Sequence, residues 1–125
     1  MIHRMSRRRR RFNKIQAMVG GCAFGWILED EIESYLKELL VDGVIASYVR
    51  HQHHSVEDCA GQDFTVEKQV RSMLVIISFG VTISAERCLR SRELHRPTPQ
   101  FWFSVGTDKK TIITTILNLF KPLPV

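Results

Sequence analysis

At 125 residues the chain has material for one small core, and 44% apolar with 25% charged residues is a globular balance rather than a disordered or fibrous one. The net charge of +5 is concentrated. Arg4, Arg7, Arg8, Arg9, Arg10, Arg11 and Lys14 supply seven of the 18 basic residues, leaving 11 against 13 acidic residues in the rest. No apolar run reaches the ~18 residues of a membrane helix, and three widely spaced cysteines without a Cys-x-x-Cys pair exclude a disulfide framework or zinc knuckle.

Residues 1–23 therefore read as a basic arm and 24–125 as a single domain. An arm of this kind binds polyanions by charge and counterion release, with Arg7, Arg8, Arg9, Arg10 and Arg11 as the nucleic-acid contacts. A solvated tail is the plain alternative. Arg9-Arg10-Arg11-Phe12-Asn13-Lys14 also resembles a twin-arginine export motif, but the apolar stretch before Val19-Gly20-Gly21-Cys22 is too short for a signal core. The expectation is a cytoplasmic protein with free thiols, no membrane partner, and twin-arginine export as the alternative.

Along the chain, Leu28, Ile32, Tyr35, Leu36 and Leu39 predict a helix over Ile27 to Leu40, with Glu29, Asp30, Glu31 and Glu33 in its first turns and Asp42-Gly43 as its stop. Val44 to Arg50 reads as a strand and His51 to Gln62 as a polar loop. Asp63 to Gln69 and Met73 to Ile83 read as two more strands. The turn between them, near Val70-Arg71-Ser72, has no Gly, Asn or Pro to mark it. Ser84 caps a helix over Ala85 to Leu94, Pro97 and Pro99 break it, and Phe101 to Val105 reads as a fourth strand. A last helix runs from Lys109 to Phe120. The order αβββαβα implies an α/β domain with a mixed four-stranded sheet flanked by helices.

In this order Gly25-Trp26-Ile27-Leu28-Glu29 opens the first helix, Ser55-Val56-Glu57-Asp58 precedes the second strand, and Gly61-Gln62-Asp63-Phe64 begins it. On these segments the chain resembles the PD-(D/E)XK nuclease-like superfamily, in its small resolvase-like and uncharacterised bacterial members, over Gly25 to Phe120. The resemblance implies a restriction-endonuclease-like core and Mg²⁺-dependent phosphodiester hydrolysis. Glu29 and Asp63 would then be catalytic, and the ion would be held by Asp63 and the Val81 carbonyl. Phe79-Gly80-Val81-Thr82-Ile83-Ser84 departs from the family pattern. It places Gly80 at the acidic position and Thr82 at the lysine, so neither a second carboxylate nor a stabilising cation is supplied.

The leading expectation is a nuclease-like domain that binds nucleic acid without efficient catalysis. An active Mg²⁺-dependent DNA endonuclease or resolvase using Glu29 and Asp63 is the first alternative. A non-catalytic interaction or homodimerisation module is the second. Arg87, Arg90, Arg92, His95 and Arg96 form a basic cluster around the second long helix, diluted by Glu86 and Glu93. Arg87 and Arg90 share a face as nucleic-acid contacts, a phosphate-binding patch against the plain reading of a solvated face. His51, His53, His54 and Cys59 have zinc-ligand chemistry without a specifying spacing, and the plain reading is a polar loop. Trp102 between Phe101 and Phe103 reads as edge packing, since no basic groove is evident beside it.

Overall fold

The computed structural model describes residues 22–121. The arginine run and the export-motif reading lie outside the described residues.

Helix α1 spans Cys22–Val41 and packs its predicted stripe of Leu28, Ile32, Leu36 and Leu39 into the core. It begins earlier than the sequence pattern implies. Glu29 to Glu33 therefore sit well inside the helix rather than in its first turns, and their N-terminal dipole role is lost. Gly43 ends it as expected. Its φ of +75° allows the Gly43 and Val44 amides to fold back onto the Leu40 and Leu39 carbonyls at 3.1 and 2.9 Å.

Strands β1 (Ser47–Arg50), β2 (Phe64–Val70) and β3 (Met73–Thr82) form an antiparallel meander. The β2–β3 turn is held by Arg71 in a left-handed conformation, φ +57°, which is why no turn residue announces it. Helix α3 (Ala85–Leu94) carries the chain across the sheet, and β4 (Gln100–Trp102) joins parallel to β3. The sheet order is β1-β2-β3-β4, with β1 and β4 as its edges. Within the expected loop, Val56–Cys59 forms a single helical turn, α2, capped by Ser55, whose hydroxyl accepts from the Asp58 amide at 3.1 Å.

Alternation divides the sheet. Phe64, Val66 and Phe79 point to the core face, together with partly buried Tyr48, Ile77, Val81 and Phe101. There they meet α1 and Ile112, Ile116 and Phe120 near the end of the chain, the first two on α4 (Lys109–Asn118). Each fully buried Leu, Ile or Phe of this layer contributes about 1.5–3 kcal/mol relative to exposure. On the opposite face α3 covers only the β3–β4 end, with Cys88 buried at the contact. The expected mixed sheet flanked by helices is the observed architecture. Among the described residues no helix is long and apolar enough to cross a membrane.

Candidate functional site

Where β2 begins, its ladder with β3 ends at Phe64 opposite Phe79, and the two strands part. Asp63 stands at that fork. Its amide donates to the Phe79 carbonyl at 2.9 Å, and its Oδ2 accepts from the Val81 amide at 2.8 Å. A side chain thus completes the hydrogen bonding that a continuing strand would supply. The group of Val81 that meets Asp63 is its N–H, whereas the resemblance implied a role for its carbonyl.

Glu29 reaches the same place from α1. It lies three residues before Ile32 and seven before Leu36, so the helix turns it toward the core, where it is 5% exposed. Burial, then the neighbouring charge of Asp63, pushes its carboxyl up to about 8, against a partial offset from Arg50. Asp63 is pushed up to about 7. Burial is again the main cause, opposed by the Val81 hydrogen bond and reinforced by a hydrogen bond and charge from Asp58. The sequence thus named two groups that the fold does bring together, and Asp58 is a third.

Two further elements shape this cluster. Arg50, at the end of β1, lies 3.9 Å from Glu29, 2.6 Å from Asp30 and 3.4 Å from Glu33, so one guanidinium ties the sheet edge to three acids of α1. Tyr48 adds a hydrogen bond to Glu33. Trp26 donates from its indole to Nδ1 of His53 at 3.2 Å. An indole nitrogen can only donate, which leaves the His53 proton on Nε2, 3.3 Å from Glu29 Oε2. Trp26 and His53 also meet edge to face at 5.3 Å.

Gly80 and Thr82 do not join the acids chemically. Gly80 lies opposite Gln100 in the parallel ladder. A Cβ at position 80 would run into the Gln100 side-chain oxygen and the Gly61 carbonyl. Gln100 is itself buried, and its amide donates to that Gly61 carbonyl at 2.8 Å. The space that an acidic side chain at 80 would need is filled by an amide from the next strand. The Thr82 hydroxyl accepts from the Ser84 amide at 3.2 Å, in the turn that leads into α3.

The histidines of the loop diverge. His51 Nε2 meets the Thr65 hydroxyl at 2.7 Å, and Thr65 meets Ser78 at 2.7 Å, a polar chain from the residue after β1 across β2 to β3. His53 turns to Glu29, while His54 uses its backbone amide, donating to Asp58 Oδ2 at 2.8 Å. Among the described residues no three His, Cys, Asp or Glu side chains are arranged to hold a metal ion.

Magnesium, the ion implied by the resemblance, does not fit this donor set. One Asp63 oxygen is committed to Val81, and the neighbouring Asp58 raises its carboxyl further toward the protonated form. Glu29 faces His53 and Arg50, and the resident guanidinium charge opposes a second cation. Gly80 contributes no ligand. No metal-dependent step follows from these residues.

Arg87 and Arg90 are exposed on α3, and Arg90 pairs with Glu86 at 2.8 Å on a solvated face. Sequence reasoning missed Arg50 and Gln100; it weighed His53 only as a metal-type ligand in a polar loop and Trp26 only as part of the segment before Glu29. Arg50 ends a predicted strand, but nothing local shows that the acids of α1 cross it. Gln100 follows Pro97-Thr98-Pro99, where a buried amide has no periodic signal. No family model matches the chain, and neither curated proteins nor solved structures show a match.

Proposed function

We propose that the domain is a restriction-endonuclease-like core that binds nucleic acid and does not hydrolyse it efficiently. One observation carries this reading. Glu29 on the first helix and Asp63 at the β2–β3 fork are brought into electrostatic contact, while Gln100 occupies the room for a side chain at position 80. The first half is the arrangement expected of a nuclease-like scaffold. The second half removes a carboxylate that phosphodiester hydrolysis would draw on. Binding is then assigned to charge, chiefly Arg7 to Arg11, with Arg87 and Arg90 as secondary contacts.

The test is a mobility shift with labelled DNA and RNA across a salt series, using the full chain and a chain lacking residues 1–14. Binding that weakens steeply with salt and is lost with the arm supports the reading. Salt-independent binding, or none at low salt, rejects it.

One observation favours an active hydrolase instead: two carboxyls raised to about 8 and about 7 at one place are the kind of perturbed pair found at catalytic sites. Cleavage of DNA in Mg²⁺ or Mn²⁺, abolished by Asp63→Ala in a folded variant, would establish that alternative.

A further inference from the structure

A concavity lies along the β4 edge of the sheet, the edge opposite β1. It encloses about 310 Å³ between α3 and α4 and is lined chiefly by Arg92, Trp102, Ser104, Thr107, Thr111 and Thr115. That volume is at the small end of the ~300–1,000 Å³ typical of small-molecule sites, the room for one ring system and its substituents. Trp102, expected to be edge packing, is 51% exposed here. Its ring is nevertheless fixed, because the indole N–H donates to the Ile83 carbonyl at 3.1 Å. Arg92 is anchored through Nε to the Gln100 carbonyl at 3.2 Å, and among the described residues no carboxylate is paired with its guanidinium. Arg92 belongs to the basic cluster read from the sequence, and α3 folding back beside β4 sets it next to Trp102.

The hydroxyls have a common polarity. Thr107 donates to the Ser104 carbonyl at 2.7 Å, Thr111 to Asp108 at 2.5 Å, and Thr115 to the Thr111 carbonyl at 2.8 Å. With their protons committed, the Thr111 and Thr115 oxygens are left mainly as acceptors, while the Thr107 oxygen already accepts from the Ser104 hydroxyl at 3.2 Å. A flat aromatic surface, one unpaired guanidinium and a rim of acceptors match a stacked ring that offers N–H groups and carries an anion beside it. A neutral sugar fits less well, because it leaves the guanidinium without an anion. Arg92 and the indole match a phosphate and a base from one nucleotide, and hydroxyl rims discriminate little between bases.

We infer that this pocket takes an unstacked base of single-stranded nucleic acid, stacked on Trp102 with its phosphate at Arg92. The inference rests on the nucleic-acid reading above and narrows it to strands with unpaired bases. A duplex keeps its bases stacked inside and reaches only the charged arm.

The experiment uses fluorescence anisotropy of the full chain with a labelled single strand of about 12 nucleotides and the matching duplex, lengths within reach of one small domain. Trp102→Ala is expected to weaken single-strand binding by about tenfold or more and Trp102→Phe by much less, with duplex binding unchanged. Arg92→Gln is expected to reduce the salt slope for the single strand by about 0.7. Circular dichroism of each variant checks folding, and the conservative Trp102→Phe and Arg92→Gln changes carry the test if Trp102→Ala misfolds. The proposal is overturned if folded Trp102→Ala keeps wild-type single-strand affinity, if single strand and duplex weaken equally, or if the wild type binds duplex alone. In each of those cases the broader reading survives. A wild-type chain that binds neither form removes both.

Discussion

Replacing Glu29 by glutamine isolates the cost of the buried acid. The carboxyl titrates near 8 in the fold against an ordinary 4.5. A carboxyl raised on folding binds its proton more tightly in the native state, so its contribution to stability is complete below about pH 4.5. That contribution is lost progressively as pH rises to about 8. At ~1.4 kcal/mol per pH unit, the interval sets a ceiling of about 5 kcal/mol. Relaxation around the site and water penetration lower the expected effect to about 1–3 kcal/mol. Glutamine keeps the shape and the acceptor for His53 Nε2–H, and it cannot ionise. The variant should therefore match the wild type near pH 4.5 and exceed it in stability at pH 9. Urea unfolding at pH 4.5, 7 and 9, followed by circular dichroism, reads the difference directly. A gap that stays constant with pH, or a variant weaker than wild type at pH 9, would refute the claim that burial raises the Glu29 carboxyl.

Three other outcomes follow from the same geometry. Gly80→Ala should destabilise by about 1–3 kcal/mol in thermal or urea unfolding, because the new methyl meets a backbone carbonyl that cannot swing aside; Gly80→Ala combined with Gln100→Ala should recover only part of this, since Gly61 stays in place. Arg50→Met leaves Asp30 and Glu33 without their shared cation and should cost about 1–3 kcal/mol in urea unfolding at neutral pH, where Glu29 is largely protonated. In Asp63→Asn, the Glu29 carboxyl should fall below its value of about 8, because the Asp63 charge is the second cause of its rise; carboxyl-carbon NMR titration measures it, and an unchanged value would contradict the coupling.

Much of the architecture was legible from local pattern. The Leu28 to Leu39 stripe, the Asp42-Gly43 stop, the Ser84 cap and the Lys109 helix each depend on neighbours in sequence, and each is present. Even the parallel crossing between β3 and β4 follows from a helix placed between two strands. What misled was equally local. The acids of α1 were assigned to a helix start that lies farther upstream, and α2 was hidden in a polar loop. The Arg71 turn uses a residue that rarely adopts a left-handed backbone.

Glu29 and Asp63 could be named from sequence, but their state could not. Desolvation and mutual repulsion depend on which groups share a volume, and that is set by packing between segments far apart in the chain. The same holds for Gln100 filling the space above Gly80 and for Arg92 arriving beside Trp102. The sequence by itself determined the elements, their order and the absence of a carboxylate at position 80. Only the tertiary structure decided which charges lie in contact and which aromatic ring remains open. Periodicity is a property of neighbours along the chain, whereas burial and charge coupling belong to neighbours in space.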